Sequence, residues 1–181
     1  MSHEIILSGF GGQGVLLMGQ LLTQAGLEEG RRVSWFPAYG PEMRGGTAYC
    51  SVIISDSRIG APMVRKPTMV VAMNLPSMLR FAPILRPGGT LILNSTIIPE
   101  EPGRADITTL KVPMNDMAAS LKHAKGLNII GFGAVVGTGK ILSRDAALKA
   151  MDAMFGKKFA DKPELIDLNH KAFEVGFAAG R

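Results

Sequence analysis

The stretch Gly9-Phe10-Gly11-Gly12-Gln13-Gly14 constrains this chain more than any other. It follows a short apolar run, Ile5-Ile6-Leu7. It leads into the longer apolar run Val15-Leu16-Leu17-Met18-Gly19-Gln20-Leu21-Leu22. An apolar strand, a glycine turn and a helix in that order form the opening unit of an open α/β sheet, with the turn at the strand's C-terminal end. Backbone N–H groups at such a turn, with the helix N-terminus behind them, suit a phosphate or another anion. The same glycines equally serve a tight turn in which strand and helix backbones pack closely.

The rest of the chain continues the α/β pattern. The first helix runs from about Gly14 to Glu29 and ends near Gly30. Arg32–Phe36 reads as a second strand stopped by Pro37, and a βαβ start of this kind favours parallel pairing of the first two strands. Further strands are expected at Thr47–Ser55, Thr68–Met73, Thr90–Asn94 and Ile107–Val112, with a short helix opened by Asn74-Leu75-Pro76-Ser77. The last third is read as helical: Met114–His123, the glycine-rich apolar stretch Asn128–Ile141 as a packed helix in preference to a strand pair, a helix capped by Ser143 that runs to about Phe155, and a final helix opened by Asp161-Lys162-Pro163-Glu164. The expected fold is α/β, a mainly parallel central sheet with flanking helices and a helical C-terminal third, in one domain over residues 1–181.

Two nucleotide-binding patterns fall short. Gly9, Gly11 and Gly14 match the dinucleotide fingerprint, but that fingerprint needs an acid at the end of the second strand, where Ser34-Trp35-Phe36-Pro37 stands. A stand-alone dinucleotide-binding protein is therefore the lesser alternative, beside a ligand-free scaffold. Gly133–Ile141 imitates a P-loop, but Ala134 occupies the first glycine position and Ile141 follows Lys140 where Ser or Thr is required. No catalytic residue and no metal-ligand set is legible. His3, His123 and His170 lack metal spacing and read as surface residues; Cys50, the single cysteine, reads as a buried, inert thiol. The net charge of +5 is not gathered into a basic run, which disfavours nucleic acid. No apolar stretch reaches membrane-spanning length, and Met1-Ser2-His3-Glu4 does not resemble a secretory leader, so a cytoplasmic location is expected.

The segment from Pro37 to Thr47 holds Tyr39, Glu42 and Arg44 among two prolines and three glycines. It is too long for a simple turn and has the residue types of an interface anchor. Together GFGGQG at Gly9–Gly14 and YGPEMRGGT at Tyr39–Thr47, with Met73-Asn74-Leu75-Pro76-Ser77 and Pro87-Gly88-Gly89-Thr90 behind them, resemble the γ subunit of 2-oxoacid:ferredoxin oxidoreductases. Met43 and the Asn-x-Pro-Ser form are most similar to the 2-oxoglutarate and 2-ketoisovalerate branches.

That resemblance implies a complex that oxidatively decarboxylates a 2-oxoacid to acyl-CoA and carbon dioxide and reduces ferredoxin. It implies thiamine diphosphate with Mg2+, Fe–S clusters and coenzyme A in the complex, and α, β and δ subunits as partners. This chain has no Gly-Asp-Gly stretch and a single cysteine, so neither thiamine diphosphate nor a cluster is expected on it. Its expected role is to support assembly, with a hand in coenzyme A access. The candidate contact residues, for cofactor or for neighbouring subunit, are Gly9, Gly11, Gly12, Gln13 and Gly14 in the first motif. In the second they are Tyr39, Glu42, Arg44, Gly45 and Gly46.

Overall fold

The computed structural model describes residues 1–39 and 46–181. Its strands are β1 (Ser2–Phe10), β2 (Arg32–Tyr39), β3 (Thr47–Ser55), β4 (Met69–Ala72), β5 (Thr90–Asn94) and β6 (Thr108–Val112). Its helices are α1 (Val15–Glu28), α2 (Leu75–Phe81), α3 (Met114–Ser120), α4 (Leu127–Gly137), α5 (Arg144–Phe155) and α6 (Pro163–Ala179). The strands form one six-stranded sheet in the order β2-β3-β1-β4-β5-β6. The pairs β1–β4, β4–β5 and β5–β6 are parallel, whereas β3 runs antiparallel to both β1 and β2.

The expected class is therefore observed, with one correction to its opening. β1 and β2 are not adjacent: β3 lies between them, pairing Phe10 with Thr47 on one side and Tyr39 with Ala48 on the other. The physical reason is the hydrophobic pattern of β3. Its run Cys50-Ser51-Val52-Ile53-Ile54 is buried on both faces, which belongs in the interior of a sheet, and β2, with its exposed Phe36, is left at the edge. The edge position also explains why β2 does not stop at Pro37. A proline lacks the N–H that a central strand must donate, but an edge strand tolerates it, and the strand continues to Tyr39.

Alternation along the strands divides the core in two. Ile5, Leu7, Cys50, Val52, Ile54, Met69 and Val71 face the larger cluster, which takes in α1 and α3 to α6. Ile6, Val70, Ala72, Leu91 and Leu93 face a smaller cluster closed by Met78 and Phe81 of α2 and by Leu85 and Ile98. Helix starts follow the sequence: the Asn74 side chain accepts from Ser77 N–H at 2.9 Å, and Ser143 caps α5 through Ala146 N–H. α3 ends at Ser120 rather than His123, because the chain reverses there, with Lys122 at φ 52° and the His123 N–H closing onto the Ala118 carbonyl.

The first half of the P-loop lookalike, Gly133 to Gly137, is the end of α4, and its remainder lies past the helix. Among the residues described, Gly133 and Gly137 of α4 lie directly against α6, so that an added Cβ would stand 2.2 Å from the carbonyl oxygens of Phe173 and Phe177. Reciprocally, a Cβ at Gly176 would meet the Ile130 carbonyl at 2.0 Å. The two helices touch backbone to backbone.

Cys50 is fully buried, as expected, and burial pushes its thiol up to about 12. The Trp35 indole offsets a little of that rise, although its geometry falls short of a hydrogen bond and leaves Nε1 an unpaired buried donor. The histidines depart from the surface expectation, all three being half-buried. Burial, and then the Arg31 charge, hold the His3 pKa below its usual value.

Candidate functional site at the glycine turn

β1 ends at Phe10, and Gly11 to Gly14 carry the chain into α1. Gly12 (φ 99°) and Gly14 (φ 74°) both occupy the left-handed region, which glycine enters without the Cβ penalty. Gly14 is the N-cap residue and has no side chain to accept from the first-turn amides of α1. Those N–H groups, and their share of the helix dipole, are what an incoming anion would meet.

Gln13 holds the turn in place. Its Oε1 accepts from Phe10 N–H at 2.7 Å and from Asn74 Nδ2 at 3.2 Å, while its Nε2 donates to the Met73 carbonyl at 3.2 Å. The end of β1 is thereby clamped to the end of β4 and the start of α2. Beneath the clamp, Ser8 Oγ donates to Ser77 Oγ at 2.8 Å in a buried position. Gly9 must be small, since a Cβ there would stand 2.6 Å from Gln13 Oε1 and 2.9 Å from Met73 Cβ.

The two sequence motifs do converge. The Gly11 N–H donates to the Gly46 carbonyl at 3.0 Å, and Tyr39, the last residue of β2, lies at the same sheet edge as Phe10. They meet because β2 runs in the direction of β1 across the intervening β3, not because the two strands are neighbours. Glu42, Arg44 and Gly45 lie outside the described residues.

Sequence reasoning missed the basic cavity that adjoins the turn. Asn128, at the start of α4, reaches back with Nδ2 to the Gly14 carbonyl at 3.4 Å. From there a cavity of about 480 Å³ opens between α1, α4, α5 and α6. Lys125, Lys158 and Lys162 line it, with His123, Asn128 and Asn169; no acid does among the described residues. Its floor is apolar, formed by Leu17, Ile129, Phe155, Phe159 and Leu165. Asn128 and Asn169 are only 5% and 6% exposed, and Asn169 Oδ1 pairs with His123 Nε2 at 3.0 Å. These residues come from α1, α4, α5 and α6 and from the connections before α4 and after α5, and only the short-range cluster Lys157-Lys158 and Lys162 was visible as a run in the chain. An apolar floor under a cationic, amide-bearing rim suits an amphipathic anion.

The arrangement also weakens the dinucleotide alternative. In that fold the ribose-binding acid stands at the end of the strand beside the first; here β3 occupies that place, entering the sheet at Thr47. Among the described residues no group of three or more His, Cys, Asp and Glu side chains could hold a metal ion. No helix there is long and apolar enough to cross a membrane.

Comparison with known proteins agrees with this geometry. The chain belongs to the pyruvate ferredoxin/flavodoxin oxidoreductase family, which it matches over residues 4–179. It is 39% identical over 174 residues to the ketoisovalerate oxidoreductase subunit VorA of Methanothermobacter thermautotrophicus, covering 96% of this chain and 35% of that one. The chain thus spans about a third of the length of that relative. It is 32% identical over 154 residues to the 2-oxoglutarate synthase subunit KorC of Methanocaldococcus jannaschii, covering 83% of this chain and 82% of KorC. The solved γ subunit of a keto/oxoacid ferredoxin oxidoreductase from Geobacter sulfurreducens superposes with a TM-score of 0.82 at 28% identity, over 98% of both chains.

Proposed function

We propose that this chain is the γ-type subunit of a 2-oxoacid:ferredoxin oxidoreductase, acting as one domain within a cytoplasmic hetero-oligomer. The observation that carries the reading is the 39% identity to a ketoisovalerate oxidoreductase subunit along nearly the whole chain. Similarity to a 2-oxoglutarate synthase subunit over most of both chains supports 2-ketoisovalerate or 2-oxoglutarate as the substrate. The complex would convert the 2-oxoacid and coenzyme A to acyl-CoA and carbon dioxide, passing electrons to ferredoxin. Thiamine diphosphate with Mg2+ and the Fe–S clusters would reside in the α, β and δ partners, since a cluster requires several thiolates and this chain has one cysteine.

The chain's own part is to position. The glycine turn, with Gly9, Gly11, Gly12, Gln13 and Gly14, and the segment with Tyr39, Glu42, Arg44, Gly45 and Gly46 form the surface that faces a partner or a shared coenzyme. Support for the coenzyme comes from the uncapped start of α1 and the three-lysine cavity beside it, a setting that attracts phosphates. Arg44→Ala is expected to weaken assembly or turnover of the complex.

The test is co-purification of this chain with partners that carry Gly-Asp-Gly and multi-cysteine motifs, followed by assay of the complex on several 2-oxoacids. Activity confined to 2-ketoisovalerate or 2-oxoglutarate is the expected result. A chain that recruits no such partner would end the proposal. For the coenzyme, Lys158→Glu with Lys162→Glu should raise the KM for coenzyme A while leaving that for the 2-oxoacid unchanged.

A further inference from the structure

The two faces of the sheet are unequally covered. α1 and α3 to α6 pack on one face, and the other is covered by α2 and by the connecting segments that carry Val64, Leu85 and Ile98. Phe36 sits opposite Ser51, and Ser51 opposite Ile6, so Phe36 lies on the α2 face. α2 reaches Ile6 and Val70 but not the β2 edge, and Phe36 remains 43% exposed. The segment before β4 crosses here, and Met63 on it is 62% exposed. Between them lies a groove of about 450 Å³, with Ala61 and Pro62 on its wall.

The rim of the groove is mostly basic. Arg65, Lys66 and Arg86 border it, and the single acid on it, Glu4, is already engaged by Arg86 at 3.0 Å. Among the described residues Arg65 and Lys66 pair with no carboxylate. Apolar side chains gathered at the surface within a polar rim are the mark of a protein contact. A rim of uncompensated cations disfavours basic surfaces and steers acidic ones into register.

We propose that this groove, on the α2 face of the sheet, is a second docking surface besides the glycine turn's own contact, and that it receives an apolar side chain carried on an acidic segment of a partner subunit. The anchor enters between Phe36 and Met63, and its flanking carboxylates meet Arg65 and Lys66. This rests on the assembly reading given above. It adds to that reading a particular face and a particular partner chemistry.

The experiment uses the full chain co-expressed with its thiamine- and cluster-bearing partner chains. One variant carries Phe36→Asp with Met63→Asp, a second Arg65→Glu with Lys66→Glu. A control carries Lys149→Glu with Lys171→Glu, exposed positions on α5 and α6. Both groove variants are expected to weaken association by about tenfold or more, the control not at all. The penalty of the charge-reversed rim should shrink in about 0.5 M salt, where screening is short-ranged. Melting curves of the isolated chains separate lost docking from lost folding. The exposed rim pair is expected to melt like wild type, so it keeps the test decisive even where the double aspartate variant unfolds. Wild-type assembly matched by both groove variants would overturn the groove. So would sedimentation showing a dimer of this chain that the Phe36 and Met63 changes dissolve. No wild-type complex at all would overturn the assembly reading itself, and the groove with it.

Discussion

At Gly12 glycine is used for backbone shape; at Gly133, Gly137 and Gly176 it is used for proximity. The first lets the turn take a left-handed conformation with no atom near the place of a Cβ, although its neighbours Gly9 and Gly14 are themselves crowded by the side chains of Gln13, Met73 and Asn128. The second set has ordinary helical geometry, and its missing side chains let α4 and α6 approach to backbone contact. Both stretches imitate nucleotide-binding patterns on paper. Only the first lies at the carboxyl end of a parallel strand, where an α/β sheet places its ligands. A glycine pattern therefore acquires a meaning from the element around it, and the second stretch is a packing seam.

The sharpest way to break that distinction is at the seam. Gly176→Ala puts a methyl 2.0 Å from the Ile130 carbonyl, which is backbone and cannot rotate away. A cost of about 3 kcal/mol is expected, seen by calorimetry as a melting point lower by roughly 6–12 °C. A change within about 2 °C would mean the helices are not in contact there. Gln13→Ala comes next. It leaves the Phe10 N–H and the Met73 carbonyl without their partner, at about 1–2 kcal/mol. Hydrogen exchange at Phe10 should quicken while α4 and α6 stay protected, and uniform quickening across both regions would refute a local clamp.

Gly12→Ala should cost about 1 kcal/mol, from backbone strain alone since nothing crowds the site. If it matched Gly176→Ala, shape and proximity would not be separate uses. Cys50 offers a readout with almost no thermodynamic effect. Its thiol, raised to about 12 by burial, lies 3.5 Å from the Val15 carbonyl in the first turn of α1. Alkylation at pH 8 should be very slow in the native chain and faster in Gln13→Ala. Equal rates would show that the turn does not guard the start of α1.

The smallest effect is one of pH at the opposite end of β1. Burial and Arg31 hold His3 below its usual 6.5, so the folded chain binds fewer protons there than the unfolded one. Stability from this site is present above pH 6.5 and is lost as the pH falls below it. His3→Gln should flatten that slope in melts between about pH 7 and 5, leaving the difference between the two glycine substitutions unchanged.

Much of the fold was legible because each signal was local. Asn74 and Ser143 announced their helices, the apolar run of β4 declared a strand covered twice, and the strand-turn-helix start marked the site edge. The family motifs were legible for the same reason, being contiguous. Strand order was not: nothing near β1 in sequence states that its neighbour will be β3, since that depends on which of two later strands can bear burial on both faces. The proline in β2 misled because a breaker's effect depends on sheet position. The lysine cavity escaped because Asn128, Lys158 and Asn169 are assembled by helix packing over long separations.

The place of β3 carries a consequence for how the molecule is made. Both partners of β1 lie downstream, β3 at Thr47–Ser55 and β4 at Met69–Ala72. A nascent chain that has emerged from the ribosome only as far as Gly46 has two strands and a helix, but neither strand has yet met its neighbour. The glycine turn cannot be set until translation has passed Met73 and Asn74, whose groups Gln13 must find. The glycine motif is thus completed only by groups 60 and 61 residues downstream of Gln13, and fragments cut before that point should be recognised by the cell as unfinished.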